Sequence, residues 1–206
     1  MYERFGKRLG DVLLSAALLL LLSPLLLGVA LAVRLSLGRP VLFRQERAGR
    51  DGRPFTLLKF RSMRDGPGED AERLTPFGRR LRASALDELP QLVNVLRGEM
   101  SLVGPRPLPM AYLPRYTPRQ RLRLRVRPGL AGAAQAAGRN ALPWPERLEL
   151  DARYAGRVTA LADLRAALGT LRILLSGRGV SAPGHATMPR LDSPATHRAA
   201  GRSTEF

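Results

Sequence analysis

Asp87 and Glu88 stand side by side in the segment SALDELPQLVNVLRGEM, and Arg106 follows in the proline-rich stretch SLVGPRPLP. The sequence holds no cysteine, and its two histidines, His185 and His197, both lie near the C-terminal end. Thiol catalysis, disulfide frameworks, Cys/His zinc sites and a His-centred triad in the body of the chain are thereby excluded. Chemistry falls to carboxylates, hydroxyls, arginines and backbone groups. Two readings of the carboxylate pair compete. In one, Ser84-x-x-Asp87 is only a capping box at a helix start. In the other, the pair lies near a helix N-terminus, where the dipole and free N–H groups keep a carboxylate ionised and can hold a phosphate, and GPRP presents Arg106 on a rigid loop. Two carboxylates among guanidinium groups are what a magnesium-assisted attack on a phosphoanhydride requires. Neighbours on a regular helix diverge by about 100°, so Asp87 and Glu88 are expected to play distinct roles.

The rest of the composition bounds the partner. The chain has 206 residues, room for about one domain, and a net charge of +17. Such a charge suits a polyanion: nucleic acid, anionic lipid or a phosphorylated substrate. Of the 34 basic residues, only Lys7 and Lys59 are lysines. Arginine abundance therefore carries little information, whereas a retained lysine marks a place where a compact ammonium serves better than a planar fork.

The elements that must position these residues begin with an apolar stretch. Residues 12–33 carry no charge, and as one straight helix they would run about 33 Å at ~1.5 Å per residue, enough to cross a hydrocarbon core. Ser23-Pro24 interrupts the middle, where proline removes a donor and kinks the helix, and the freed carbonyl needs a partner such as the Ser23 hydroxyl. Arg4, Lys7 and Arg8 precede the stretch and Arg34, Arg39 and Arg44 follow it. Basic flanks on both sides favour a re-entrant hairpin that enters and leaves one leaflet over a plain spanning helix, and a cleavable signal fits poorly. Further on, Val41–Phe43 and Phe55–Phe60 read as a β-hairpin joined by a long basic loop, ERAGRDGRP. Residues 65–76 read as a mobile loop and the segment from Ser84 to near Gly98 as one helix. SLVGPRPLP reads as a rigid loop, Thr117-Pro118 as a capped helix start, and residues 128–146 as a packed loop region whose Trp144 belongs to a core or interface. A last amphipathic helix covers 160–175, its leucine face turned to core or to membrane. The stretch after Leu191 reads as disordered.

SALDELPQLVNVLRGEMSLVGPRP, with PVLFRQERAGRDGRPFTLLKFRSM upstream and RPGLAGAAQAAGRNALPWPERLELDARY downstream, resembles the bacterial sugar transferases called monotopic phosphoglycosyl transferases, over about residues 5–190. The resemblance implies an α+β, monotopic membrane protein. Residues 1–38 would form a re-entrant hairpin broken at Ser23-Pro24, 39–190 a cytoplasmic catalytic domain with interfacial helices and a small β-hairpin, and 191–206 a tail. It implies transfer of a sugar 1-phosphate from a UDP-sugar to polyprenyl (undecaprenyl) phosphate with release of UMP, on the cytoplasmic face of the bacterial inner membrane. That step initiates surface-glycan assembly, with anionic inner-leaflet lipids and downstream glycosyltransferases as partners. Carried across, Asp87 is the nucleophile, Glu88 its partner, and Mg²⁺ sits at the dyad. Lys59, Arg61, Arg106 and Arg139 surround the phosphates or nucleotide. The family's common P-G-[IL]-T-G stands here as Pro128-Gly129-Leu130-Ala131-Gly132, so a usual hydroxyl is missing. The length resembles the short minimal members, and Gly184-His185-Ala186-Thr187-Met188-Pro189 resembles the subgroup using N-acetylated amino or diamino sugars such as diacetylbacillosamine. A membrane-tethered nucleic-acid binder is the alternative from another class, disfavoured by 5% aromatic content and by the dyad. A catalytically idle scaffold is a third.

Overall fold

The computed structural model describes residues 2, 6–177, 179 and 188–191, and its first feature is a break in the apolar stretch. Helices α1 (Lys7–Leu21) and α2 (Ser23–Leu37) meet at a bend of 64°. Pro24 has no amide to give the carbonyl of Leu20, and the Ser23 hydroxyl donates to that carbonyl instead, at 2.8 Å. Among the described residues no single helix is long and apolar enough to cross a membrane, although the bent pair passes that test together. Leu13, Leu20, Leu27, Leu31 and Leu35 are exposed along the pair, while Asp11 and Ser15 are buried. Val29 and Val33 pack against Phe60 and Leu81.

Strands β1 (Leu42–Ala48) and β2 (Pro54–Phe60) pair antiparallel, with Phe43 opposite Lys59 and Arg47 opposite Phe55. The strands run further than the apolar runs implied, and the connecting turn shrinks to residues 49–53. Alternation explains the difference: Phe43, Gln45 and Arg47 share one face, which lines a cleft and therefore tolerates polar residues. Within the expected mobile loop lies a short helix, α3 (Asp70–Arg73), closed by a capping box between Glu69 and Glu72. Helix α4 (Pro76–Ala83) starts at Thr75, whose hydroxyl accepts from the Gly78 amide at 3.0 Å.

The expected single helix from Ser84 does not form. Ser84 ends α4, its hydroxyl donating to the Leu81 carbonyl at 3.0 Å. The chain then turns at Ala85, which sits at φ 56°, and Leu86–Glu88 make one 3₁₀ turn. Helix α5 (Gln91–Arg97) begins only after Pro90, which cannot donate within a helix. Ser84 therefore caps nothing at Asp87, and the capping-box reading is corrected. Left-handed backbone at an alanine costs about 1–2 kcal/mol, so the turn that presents the dyad must be held from outside.

SLVGPRPLP opens with strand β3 (Ser101–Val103) instead of a pure loop. After α6 (Pro118–Arg121), capped by Thr117 as expected, comes β4 (Gly129–Ala131), which pairs parallel with β3. The two backbones approach at Gly104 and Gly129, where a side-chain carbon on either would overlap the other's main chain. Residues 128–146, read as loop, contain β4 and α7 (Ala133–Ala137). Helix α8 (Trp144–Gly156) was not anticipated. Its Trp144 and Leu148 form a core with Leu108 and Tyr116, in line with the core reading of that tryptophan. Helix α9 (Ala160–Leu175) has the expected bounds. Ala166 and Thr170 face inward, whereas Leu161, Leu164, Leu168, Leu171 and Leu175 are exposed, so the leucine face is not core.

Helix α1 docks its polar side on α5, which follows the dyad, and on β3, which leads to Arg106. Arg8 donates to the carbonyls of Val95 and Leu96 at 2.6 and 3.0 Å, satisfying the C-terminal end of α5. Asp11 accepts from the Leu102 amide in β3 at 3.0 Å. The architecture is α+β, as expected, with two small sheets among the described residues, of which only the β1–β2 hairpin was anticipated. Residues 192–206 and Gly184–Thr187 lie outside the described residues.

Candidate active site

Lys59, Asp87, Glu88 and Arg106 converge at one cleft of about 520 Å³. Lys59 projects from β2 and donates to Glu88 Oε1 at 2.7 Å, with Asp87 Oδ2 at 3.9 Å. Arg106, from the loop after β3, reaches Glu88 with both arms, Nη2 to Oε1 at 2.5 Å and Nη1 to Oε2 at 3.2 Å. Both oxygens of Glu88 are thus engaged. No hydrogen bond reaches the Asp87 carboxylate among the described residues, although it is only 4% exposed. The two carboxylates take distinct environments, although they stand on a 3₁₀ turn and not on the regular helix from which their divergence was expected.

Electrostatics separates them further. Burial pushes Asp87 up from the ordinary aspartate value, with Lys59 pulling the other way. Burial alone would raise Glu88 too, but Arg106 and Lys59 hold it well below the ordinary glutamate value. Burial lowers Lys59 against the attraction of Glu88, and Glu88 raises Arg106. The pair is one permanently charged acceptor and one carboxylate whose lone pairs are open to a reacting partner.

Arg139, at φ 54°, lines the same cleft from the segment between α7 and α8, and its Nη1 is buried without an acceptor among the described residues. Arg61 also lines the cleft, but its guanidinium donates to the Leu37 carbonyl and to Asp65, tying the end of α2 to the domain. Ser23 and Pro24 form the helix bend and are not among the cleft-lining residues.

Several residues that shape the site were missed in the sequence. Arg82 lies in the cleft, donating to Ser62 Oγ at 2.8 Å, and Asp87 is its foremost electrostatic support against burial. Arg47 and Arg147 line the cleft as well. Asn94, fully buried, donates to the Thr56 carbonyl at 2.8 Å and to Glu99 at 2.6 Å, and accepts from the Leu58 amide at 3.1 Å. It thereby fixes α5 on the strand that bears Lys59. A polar residue on the apolar face of LVNVL was the available signal. Arg123 and Asp151 form a buried pair at 2.7 Å, and Arg123 also donates to the Arg106 carbonyl at 2.6 Å, so the loop of Arg106 is braced from behind.

No group of three or more His, Cys, Asp or Glu that could hold a metal converges among the described residues. Mg²⁺ commonly uses one or two carboxylates, several waters and substrate phosphates, and the open lone pairs of Asp87 fit that donor set. A site with one open carboxylate, a fixed carboxylate, two cations on the latter and further arginines around the cleft suits attack on a phosphorus centre.

Residues 2–177 match the family described as bacterial sugar transferase. The chain is 46% identical over 190 residues to an uncharacterized sugar transferase, EpsL, of Bacillus subtilis, covering 89% of this chain and 94% of the relative. It is 44% identical over 188 residues to a UDP-glucose:undecaprenyl-phosphate glucose-1-phosphate transferase of Caulobacter vibrioides, covering 82% and 70%. It is 37% identical over 197 residues to the exopolysaccharide production protein ExoY of Sinorhizobium fredii, covering 84% and 87%.

Proposed function

The chain belongs to the bacterial sugar transferase family, and on that premise we propose that it moves a sugar 1-phosphate from a UDP-sugar to undecaprenyl or another polyprenyl phosphate, releasing UMP and initiating exopolysaccharide or glycoconjugate synthesis. The observation that carries this reading is the contrast within the dyad: Glu88 saturated by Lys59 and Arg106, Asp87 buried beside it with no hydrogen bond from the described residues. A desolvated carboxylate freed from hydrogen bonds is the better nucleophile.

In the first step an Asp87 carboxylate oxygen bonds to the sugar-bearing phosphorus. The phosphoanhydride bond breaks, and its electron pair leaves with UMP. In the second step a phosphate oxygen of the polyprenyl phosphate bonds to that phosphorus, the Asp87 oxygen–phosphorus bond breaks, and the carboxylate is restored. Glu88 anchors Lys59 and Arg106 at the reacting phosphate, and the Arg123–Asp151 pair keeps Arg106 in place. Mg²⁺ held at Asp87, with Glu88 alongside, would offset phosphate charge when bound.

The exposed leucines of α1, α2 and α9 support seating on a membrane: the bent pair as a re-entrant hairpin in the inner leaflet and α9 flat at the interface. The net charge of +17 suits an anionic cytoplasmic face. The C-terminal resemblance favours an N-acetylated amino or diamino sugar, whereas the Caulobacter relative is named for UDP-glucose. The test is detergent- or nanodisc-held protein, undecaprenyl phosphate and a panel of UDP-sugars including both classes, with UMP measured. UMP release that Asp87→Asn abolishes is expected. UDP as the product, or substantial turnover by Asp87→Asn, refutes the two-step reading.

A further inference from the structure

Charge along the cleft is uneven. At the dyad, Lys59 and Arg106 are paired with the carboxylates Asp87 and Glu88. Arg47 and Arg147 differ, being guanidinium groups with neutral partners only. Arg47 donates to the Pro107 carbonyl at 3.3 Å and to Gln45 Oε1 at 2.5 Å, and its Nε is buried without an acceptor. Arg147 donates to Asn140 Oδ1 at 3.4 Å and lies 4.6 Å from the centre of the Trp144 ring. Neither makes an ion pair with a carboxylate among the described residues. Burial, and repulsion from Arg106, bring both down to about 10, against partial support from Glu88 at Arg47 and from Asp151 at Arg147. Taking a cation out of water without a directly paired carboxylate is costly, and a bound anion would offset that cost.

Their position selects the kind of anion. β1 runs away from the bent helix pair, beginning at Leu42, a short step beyond the end of α2 at Leu37. Phe43 is 41% exposed at the near end of the cleft face, and Arg47 lies about 13 Å further along at ~3.3 Å per residue. The end nearer the hairpin sets the exposed Phe43 ring beside Lys59 of the dyad and suits a phosphate carried on a lipid chain. The far end, where Arg47 and Arg147 share Tyr112 and Arg106 as electrostatic neighbours, is cationic and suits a soluble ligand.

We propose that Arg47 and Arg147 form a second phosphate pole of the cleft, which grips the phosphate that remains with the nucleoside of a nucleoside diphosphate sugar while the dyad works on the other phosphorus. This rests on the transferase reading above. As the phosphoanhydride breaks, the departing nucleoside monophosphate gains negative charge, and two guanidinium groups already in place stabilise it.

The test uses the full chain in detergent, with equilibrium binding of UMP and of uridine and with separate KM values for UDP-sugar and undecaprenyl phosphate. Arg47→Gln and Arg147→Gln should each weaken UMP about tenfold or more, the scale of a lost hydrogen bond to a charged group. Uridine binding and the KM for undecaprenyl phosphate should stay unchanged, and Arg47→Lys should recover part of the loss. Thermal melting identifies folded variants, and Arg47→Lys and Arg147→Lys replace any glutamine variant that does not fold. Unchanged UMP affinity in the folded variants overturns the proposal. So does a raised KM for undecaprenyl phosphate with UMP affinity intact, which would give the pole to the acceptor. A wild-type protein that neither binds UMP nor releases it would instead overturn the transferase reading itself.

Discussion

Replacing Lys59 by arginine keeps the charge and should still cost the site most of its activity. The ammonium stands 2.7 Å from Glu88 Oε1 and 3.9 Å from Asp87 Oδ2, while the fork of Arg106 already occupies both Glu88 oxygens. A second guanidinium at this place must either release Glu88 or displace Arg106. Losing one charge-assisted hydrogen bond costs about 1.5–3 kcal/mol. If about 2 kcal/mol of that is lost in the transition state, kcat/KM falls roughly thirtyfold, at about 1.36 kcal/mol per factor of ten. The assay is UMP release at saturating undecaprenyl phosphate, with thermal melting alongside. Lys59 is also the foremost cation opposing the effect of burial on Asp87. Moving or removing it raises Asp87 further, so the acid side of the pH–rate profile should shift to higher pH in Lys59→Arg and more in Lys59→Met. A Lys59→Arg enzyme within twofold of wild type, with its acid side unmoved, would refute the reasoning and show that the position needs only a positive charge. The other lysine, Lys7, also sits in a closed pair, 2.6 Å from Asp163. Both ammonium groups of this arginine-rich chain thus occupy confined ion pairs.

Glu88 is held well below its ordinary value of 4.5 in the folded chain, so its stabilisation is complete above about that pH and is lost as pH falls toward the folded value; Glu88→Gln should lower the melting temperature at pH 7 and flatten its decline on acidification. Arg123→Met leaves Asp151 buried and unpaired and should cost about 3–5 kcal/mol of stability by denaturant unfolding. Adding Asp151→Leu should restore much of that while the KM for UDP-sugar stays raised, because Arg106 has lost its brace; a normal KM in the double variant would sink the bracing role. EDTA should stop UMP release and added Mg²⁺ restore it, and full turnover in the chelated enzyme would exclude a divalent ion. Since the chain has no cysteine, single substitutions Gly6→Cys and Arg39→Cys report topology in membrane vesicles: a re-entrant hairpin labels both from the cytoplasmic side, and labelling from opposite sides would show a span.

What the sequence disclosed and what it hid divide along physical lines. The Pro24 break, the Thr117 cap and the leucine repeat of α9 depend on local periodicity and local donors, and all three were readable. The turn at the dyad was not. Ser84 through Arg97 carries the apolar spacing of one helix, yet Pro90 and a left-handed Ala85 split it, and only tertiary packing decides such a split. β3 and β4 escaped notice because three-residue strands leave no pattern. They exist because glycines at 104 and 129 let two backbones touch. The cleft's chemistry was half visible. Asp87, Glu88, Lys59, Arg106 and Arg139 were identified, whereas Arg47, Arg82, Arg123 and Arg147 were indistinguishable from the arginine background. Only contact with a carboxylate, a carbonyl or nothing at all tells one guanidinium from another.

The docking of α1 changes how the N-terminal segment should be handled. Arg8 donates to carbonyls of the last turn of α5, and Asp11 receives an amide from β3, just ahead of the loop that carries Arg106. Cutting away the apolar hairpin to obtain a more tractable enzyme would strip hydrogen bonds from the helix that follows the dyad and from the strand that leads to Arg106. The segment that looks like a mooring line is also a rib of the hull, and a trimmed version would be an incomplete protein, not a smaller one.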